Sequence, residues 1–198
     1  MGRARLPLPE LGPEVPRAGG PGTRLLGGII LRAIGWRIEG AIPNLPQFVI
    51  IVAPHTSNWD FVIGVAAKLA LGLQALWLGK DTIFQFPLGI LMRGLGGMPV
   101  DRSRPNDVVN QVADRFTRQR QMVLALAPEG TRRQVERWRT GFYHIAHTAG
   151  VPIVPVALDW SRRAIKIMTP FATTDDVESD VARLRKLFEG MRGRLDGD

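Results

Sequence analysis

Residues 47–53 read Gln-Phe-Val-Ile-Ile-Val-Ala, an unbroken β-branched run closed by Pro46 and Pro54. A strand with one wet face alternates apolar and polar residues; a strand covered on both faces does not. This run therefore asks for a sheet with helices on both sides. The rest of the chain supplies them. Helical spacing runs over 58–71, 105–120, 140–149 and 175–191. Short apolar runs at 75–78, 98–100, 122–127, 153–158 and 164–168 read as strands. Residues 83–95 are helical in composition but carry Pro87, so a helix there is short or begins at the proline. The expected fold class is α/β, a mixed and largely buried sheet flanked by helices.

The 198 residues suffice for one substantial core, expected over 23–192. Residues 1–22 hold five prolines and five glycines and read as a flexible arm without the apolar centre of a signal peptide. Residues 25–36 are too short to span a bilayer, which needs roughly 20 apolar residues. On a helical wheel Leu26, Ile29, Ile30, Ala33, Ile34 and Trp36 share one side, and Gly28, Arg32 and Gly35 the other. That suits an amphipathic helix lying in a membrane interface with Arg24, Arg32 and Arg37 near headgroups, or else one packed on the domain core. Residues 61–79 are long enough to span, but Lys68 and Gly72 interrupt them; they read as a buried helix and then a strand.

The chain has no cysteine, which removes disulfides, thiolate metal sites and a cysteine nucleophile together. Its four serines include none in a GxSxG elbow, and no GxxxxGK[ST] or GxGxxG loop occurs. The net charge of +8, with 22 Arg among 26 basic residues, favours anionic partners. Nucleic acid is the non-enzymatic possibility, but no recognition-helix pattern or aromatic stacking strip accompanies the charge. His144 and His147 stand three apart on a helix, without an apparent third metal ligand.

His55 is placed differently. It follows the buried strand, inside Pro-His-Thr-Ser-Asn-Trp-Asp (54–60). Strand ends feeding helices are where such sheets place their sites. Five residues apart on one helix, His55 and Asp60 would point about 140° from each other. They can meet only if His55 is in the loop and Asp60 in the helix's first turn. Ser57-x-x-Asp60 is equally a capping box needing no chemistry. Both readings stand at this point. A second cluster, Pro128-Glu129-Gly130-Thr131-Arg132, also follows a strand, and a third, 97–102, ends in Arg102.

These clusters, in this order, resemble the signatures of the glycerolipid acyltransferase superfamily, which includes 1-acylglycerol-3-phosphate O-acyltransferases. HxxxxD is matched by His55 and Asp60, the second signature by 97–102, PEGTR by 128–132 and the V-P-[IV]-[IV]-P-V strand by 151–156. The resemblance implies transfer of an acyl group from acyl-CoA or acyl-carrier protein to the hydroxyl of a lysophospholipid, lysophosphatidic acid first. His55 would be the base and Asp60 its orienting partner. Arg102, Glu129, Gly130, Thr131 and Arg132 would hold the acceptor. No metal or cofactor is implied, and the expected location is the cytoplasmic face of a membrane. Pro54, Ala127 and Arg133 depart from the family pattern beside the acceptor site, as does the missing aromatic in the second signature. They leave the acceptor open to another lyso-lipid, such as a lyso-amino-acid lipid.

Overall fold

The computed structural model describes residues 8–100, 105–131, 135 and 137–194. Helix α1 (Pro21–Ala33) leads to strand β1 (Arg37–Glu39) and the long strand β2 (Gln47–Ala53). Helix α2 (Asn58–Leu71), β3 (Leu76–Lys80), a 3-10 turn (Asp81–Phe84), α3 (Leu88–Gly94) and β4 (Gly97–Val100) follow. The chain then forms α4 (Pro105–Arg118), β5 (Met122–Leu126), α5 (Gly141–Ala149), β6 (Ile153–Asp159), β7 (Ala164–Ile167) and α6 (Val177–Lys186). The seven strands make one sheet in the order β1-β7-β6-β2-β5-β3-β4. All neighbours are parallel except β6 and β7.

The run that demanded a doubly covered sheet sits at its centre. Phe48 and Ile50 join Ile63, Ala66 and Leu31 in the core beneath α1 and α2. Val49 and Ile51 join Val112, Phe142 and Leu184 in the core beneath α4, α5 and α6. The register then sets the site. Ile51 stands beside Leu126, the last residue of β5, and Ala53 beside Ala157 of β6. The loops leaving β2, β5 and β6 therefore emerge side by side.

Three expectations change. The described part of the proline- and glycine-rich arm is packed: Leu11 and Val15 are buried, Ala18 N–H donates to Gly72 O at 2.9 Å, and Gln74 N–H donates to Pro16 O at 2.9 Å. Proline's fixed φ lowers the entropy lost on docking such a segment. Helix α1 packs on the core by a face that only partly overlaps the apolar side of the wheel: Ile30 and Ile34 pack against the core and Trp36, just past its end, is buried, while Arg32 and Gly35 stay exposed. Gly27, Gly28 and Leu31 are buried, while Leu25, Leu26 and Ile29 are half or more exposed. A Cβ on Gly27 would lie 2.3 Å from Ala70 N and 2.6 Å from Ala66 O, so only glycine permits this close helix crossing. The last helix ends at Lys186 rather than 191, and turns carry the chain to Gly190, whose φ of +79° redirects it.

Candidate active site

Helix α2 is capped by Ser57, whose Oγ accepts the Trp59 N–H at 3.2 Å. Its third residue, Asp60, turns back over the cap: Oδ2 accepts the N–H groups of Ser57 at 2.7 Å and Thr56 at 2.8 Å. The same Oδ2 lies 3.3 Å from His55 Nδ1. The capping box and the His–Asp pair are thus one construction, and the cap holds the carboxylate where the imidazole can reach it. Asp60 is hidden from solvent, with 1% of its side chain exposed, whereas His55 keeps 23%. With Nδ1 turned to Asp60, Nε2 is the ring nitrogen on the far side. Burial works to raise the Asp60 pKa, but hydrogen bonds from His55, Ser57, Trp160 and Thr56 outweigh it and hold the carboxyl below its ordinary range.

The loop after β5 brings Glu129 against His55. Glu129 is buried, and its Oε2 accepts the His55 backbone N–H at 2.7 Å. Burial pushes its pKa up to about 7; the bond from His55 and the imidazole's charge pull the other way, and Asp60 adds to the rise. Gly130 has φ of +64°, and a Cβ there would come 2.6 Å from Arg139 Cδ. The Arg139 stem therefore lies across a position that only glycine fits.

His55, Asp60, Gly130 and Arg139 line a cleft of about 1570 Å³. Its lining includes the polar groups of His55, Thr131, Arg139 and His144 and the apolar side chains of Phe61, Val65, Trp77 and Met92, with Lys68 among them. Lys68 Nζ donates to Leu95 O at 2.8 Å, and burial lowers its pKa.

Of the residues expected from sequence, His55, Asp60, Glu129, Gly130 and Thr131 come together here. Arg102 and Arg132 lie outside the described residues. The two helical histidines part company: His144 lines the cleft, while His147 faces Thr173 Oγ1 at 3.2 Å and Asp175 at 3.5 Å. Sequence reading missed Trp160, whose Nε1–H donates to Asp60 Oδ1 at 2.7 Å. Its signal was available: it directly follows a strand whose burial and position beside β2 bring its end to the same edge.

The acyltransferase family model matches residues 39–159, more than half of the chain. The chain belongs to the acyltransferase family. Among relatives of this acyltransferase-family chain is the 1-acyl-sn-glycerol-3-phosphate acyltransferase of Escherichia coli, 29% identical over 125 residues, 60% of this chain and 49% of that one. The enzyme of the same name from Salmonella typhimurium is 31% identical over 116 residues, 55% of this chain and 46% of that one. The chain spans about half the length of the curated relatives it matches. Its fold is shared with the crystal structure of the 1-acyl-sn-glycerophosphate (LPA) acyltransferase PlsC from Thermotoga maritima. That match has a TM-score of 0.58 at 18% identity and covers 85% of this chain and 79% of that one.

Proposed function

We propose that this acyltransferase-family chain moves a fatty acyl group from a thioester, acyl-CoA or acyl-carrier protein, to the free hydroxyl of a lysophospholipid, with lysophosphatidic acid as the first acceptor. The observation that carries the reading is His55 Nδ1 set 3.3 Å from the buried Asp60 Oδ2 in a cleft lined by both polar and apolar side chains.

In this reading His55 Nε2 takes the proton of the acceptor hydroxyl as its oxygen attacks the thioester carbonyl. The tetrahedral intermediate then expels the thiolate, which recovers the proton from His55, leaving an ester and a thiol. Asp60 keeps the imidazole in the tautomer with Nδ1–H and stabilises its charged form. Gly130 and Thr131 border the acceptor's headgroup, and Glu129 holds the His55 backbone. Arg102 and Arg132 join them on the strength of the sequence resemblance alone.

The substrates are lipids, and one layer of the fold suits a lipid surface. Nine of the ten large apolar side chains exposed among the described residues lie on α1, α2 and the 86–91 segment; Leu187 is the exception. Among the described residues no helix is long and apolar enough to cross a membrane. This layer would lie in the interface, the exposed side of α1 included, with Arg24 and Arg32 at its headgroup level.

The test is a panel of lyso-lipids, lysophosphatidic acid and lyso-amino-acid lipids among them, offered with labelled acyl-CoA or acyl-carrier protein and read by product mass. Acylation of lysophosphatidic acid supports the reading; acylation of another lyso-lipid alone moves the acceptor. No acylation of any acceptor, or a His55→Ala variant losing less than tenfold of kcat, overturns it.

A further inference from the structure

The geometry points to Trp160 as a positioning residue that fixes the Asp60 carboxylate, and through it His55, and to the segment 190–194 as the strap that holds Trp160 in place. This rests on the reading of His55 and Asp60 given above, and goes beyond it to residues outside every family signature.

Asp60 has two oxygens with different partners. Oδ2 takes the N–H groups of Thr56 and Ser57 and faces His55. Oδ1 takes the Trp160 indole N–H at 2.7 Å. A carboxylate's terminal torsion is soft, with a broad well rather than a sharp one. Donors on Oδ2 alone would let the group swing about that oxygen. A donor on Oδ1 from another strand end fixes the plane, and with it the direction from which Oδ2 meets the imidazole. The bond is charge-assisted and largely hidden from water, the setting in which one hydrogen bond matters most.

Trp160 is itself held on three sides. Asp159 Oδ1 accepts Ser161 N–H at 3.1 Å and Ser161 Oγ–H at 2.6 Å, which forms the turn that carries the indole. Trp36 meets the ring edge to face at 5.1 Å between centroids. The strap closes the third side. Trp160 N–H donates to Arg192 O at 2.9 Å, and the Arg194 guanidinium lies 5.2 Å from the Trp160 ring and 5.7 Å from Trp59. Arg194 O also accepts Thr56 Oγ1–H at 2.8 Å. The strap thus touches two of Asp60's donors, Trp160 and Thr56. At Gly193 a Cβ would stand 2.6 Å from Thr56 Oγ1, so the backbone passes as close as it can.

The experiment replaces the indole N–H and little else in the full chain. Trp160→Phe removes the donor and some ring. Replacing Trp160 by benzothienylalanine puts sulfur where the N–H stands and keeps the ring's shape. With lysophosphatidic acid and labelled acyl-CoA, or the acceptor the panel selects, both variants are expected to lose about tenfold of kcat while KM stays within about twofold, the pattern of a group acting on the reacting geometry rather than on binding. A role in packing alone would leave the isostere at full activity. The second readout needs no turnover. The five tryptophans give five indole ¹H–¹⁵N cross-peaks, and Trp160→Phe identifies the one that matters. Asp60→Asn should move that cross-peak upfield.

An isostere that keeps kcat within twofold while His55→Ala is inactive overturns the positioning role and leaves the base standing. An active His55→Ala overturns the base and this proposal's effect on rate together. An unmoved cross-peak in Asp60→Asn overturns the contact itself. If Trp160→Phe does not fold, the isostere decides.

Discussion

Asp60 and Asp180 are both carboxylates at the first turn of a helix, both almost wholly buried, and both held below the ordinary carboxylate range against burial that works to raise them. Around Asp180 the two partners on Oδ2, Thr174 and Tyr143, point inward, and Arg183 reaches Oδ1 from the solvent side. Thr174 N–H donates to its Oδ2 at 2.6 Å and the Tyr143 hydroxyl lies 3.0 Å away, with Thr174 O beside that same hydroxyl. Tyr143 is fully buried, and burial and the neighbouring carboxylate raise its pKa. The group ties α6 to α5 and ends there. Around Asp60 the partner facing the cleft is His55, an imidazole that is partly exposed. The same device is a staple where its Oδ2 partners are locked away, and can serve as a site where one of them opens onto a cleft.

The contrast breaks most sharply under substitution. His55→Ala should lose about 10²–10⁴-fold of kcat, the share of a general base, with a modest fall in Tm, because only 23% of the side chain is exposed and it supports the buried Asp60. Asp60→Asn should lose activity and stability together, since it orphans donors at a helix cap. Steady-state kinetics beside a thermal melt separates the two.

Asp180→Asn should do the reverse. Removing a buried, hydrogen-bonded charge costs about 2–4 kcal/mol, on the order of 5–15 °C in Tm for a chain this size, while kcat stays within about twofold. Calorimetry across acid pH sharpens it. Both aspartates have folded pKa values below the unfolded 3.8, so their stabilisation is complete above that value and is lost as pH falls through the lowered folded values. Asp180→Asn should flatten the melting temperature's fall below about pH 4.

How much of this could be read beforehand differs between the two regions. The site was legible because its chemistry is local. His55, Asp60, Glu129 and Gly130 sit at the ends of two recognisable strands, and a five-residue spacing that fails on one helix works across a loop and a cap. Ser57's hydroxyl gave the cap away, and the cap gave the direction of Asp60. The Asp180 staple was invisible because Tyr143 and Thr174 are 37 and 6 residues from it and follow no spacing rule. The packing face of helix α1 was only partly legible for a related reason. A wheel shows which side is greasy, but a glycine face against Ala66 and Ala70 packs closely through backbone, and hydropathy gives glycine no weight.

Glu129 sharpens the comparison by its opposite sign. Its folded pKa of about 7 exceeds the unfolded 4.5, so the native state holds a proton that the unfolded chain has lost between those values. Stability therefore falls as pH rises from about 4.5 to about 7, and the full cost stands above 7. Glu129→Gln keeps an oxygen for the His55 N–H and removes the charge. Its Tm should match the parent near pH 4.5 and exceed it increasingly up to pH 7, and the stability gap should reach on the order of 3 kcal/mol at the plateau. A constant gap across that range would mean that Glu129 is ionised throughout.

The smallest effect asks what holds the Asp180 charge. Arg183 Nη1 is 3.3 Å from Asp180 Oδ1, but 63% of the Arg183 side chain is exposed, so water screens the pair from its outer side. Its guanidinium also rests 5.0 Å from the Phe171 ring. Both contacts are worth fractions of a kcal/mol at a wet surface. Arg183→Ala should therefore lower Tm by about 1–3 °C, far less than Asp180→Asn. A loss as large as that of Asp180→Asn would place the charge's support on the surface arginine rather than on Thr174 and Tyr143. The staple would then be open to solvent on one side, as the site is, and the distinction between the two carboxylates would lie only in what each opens onto.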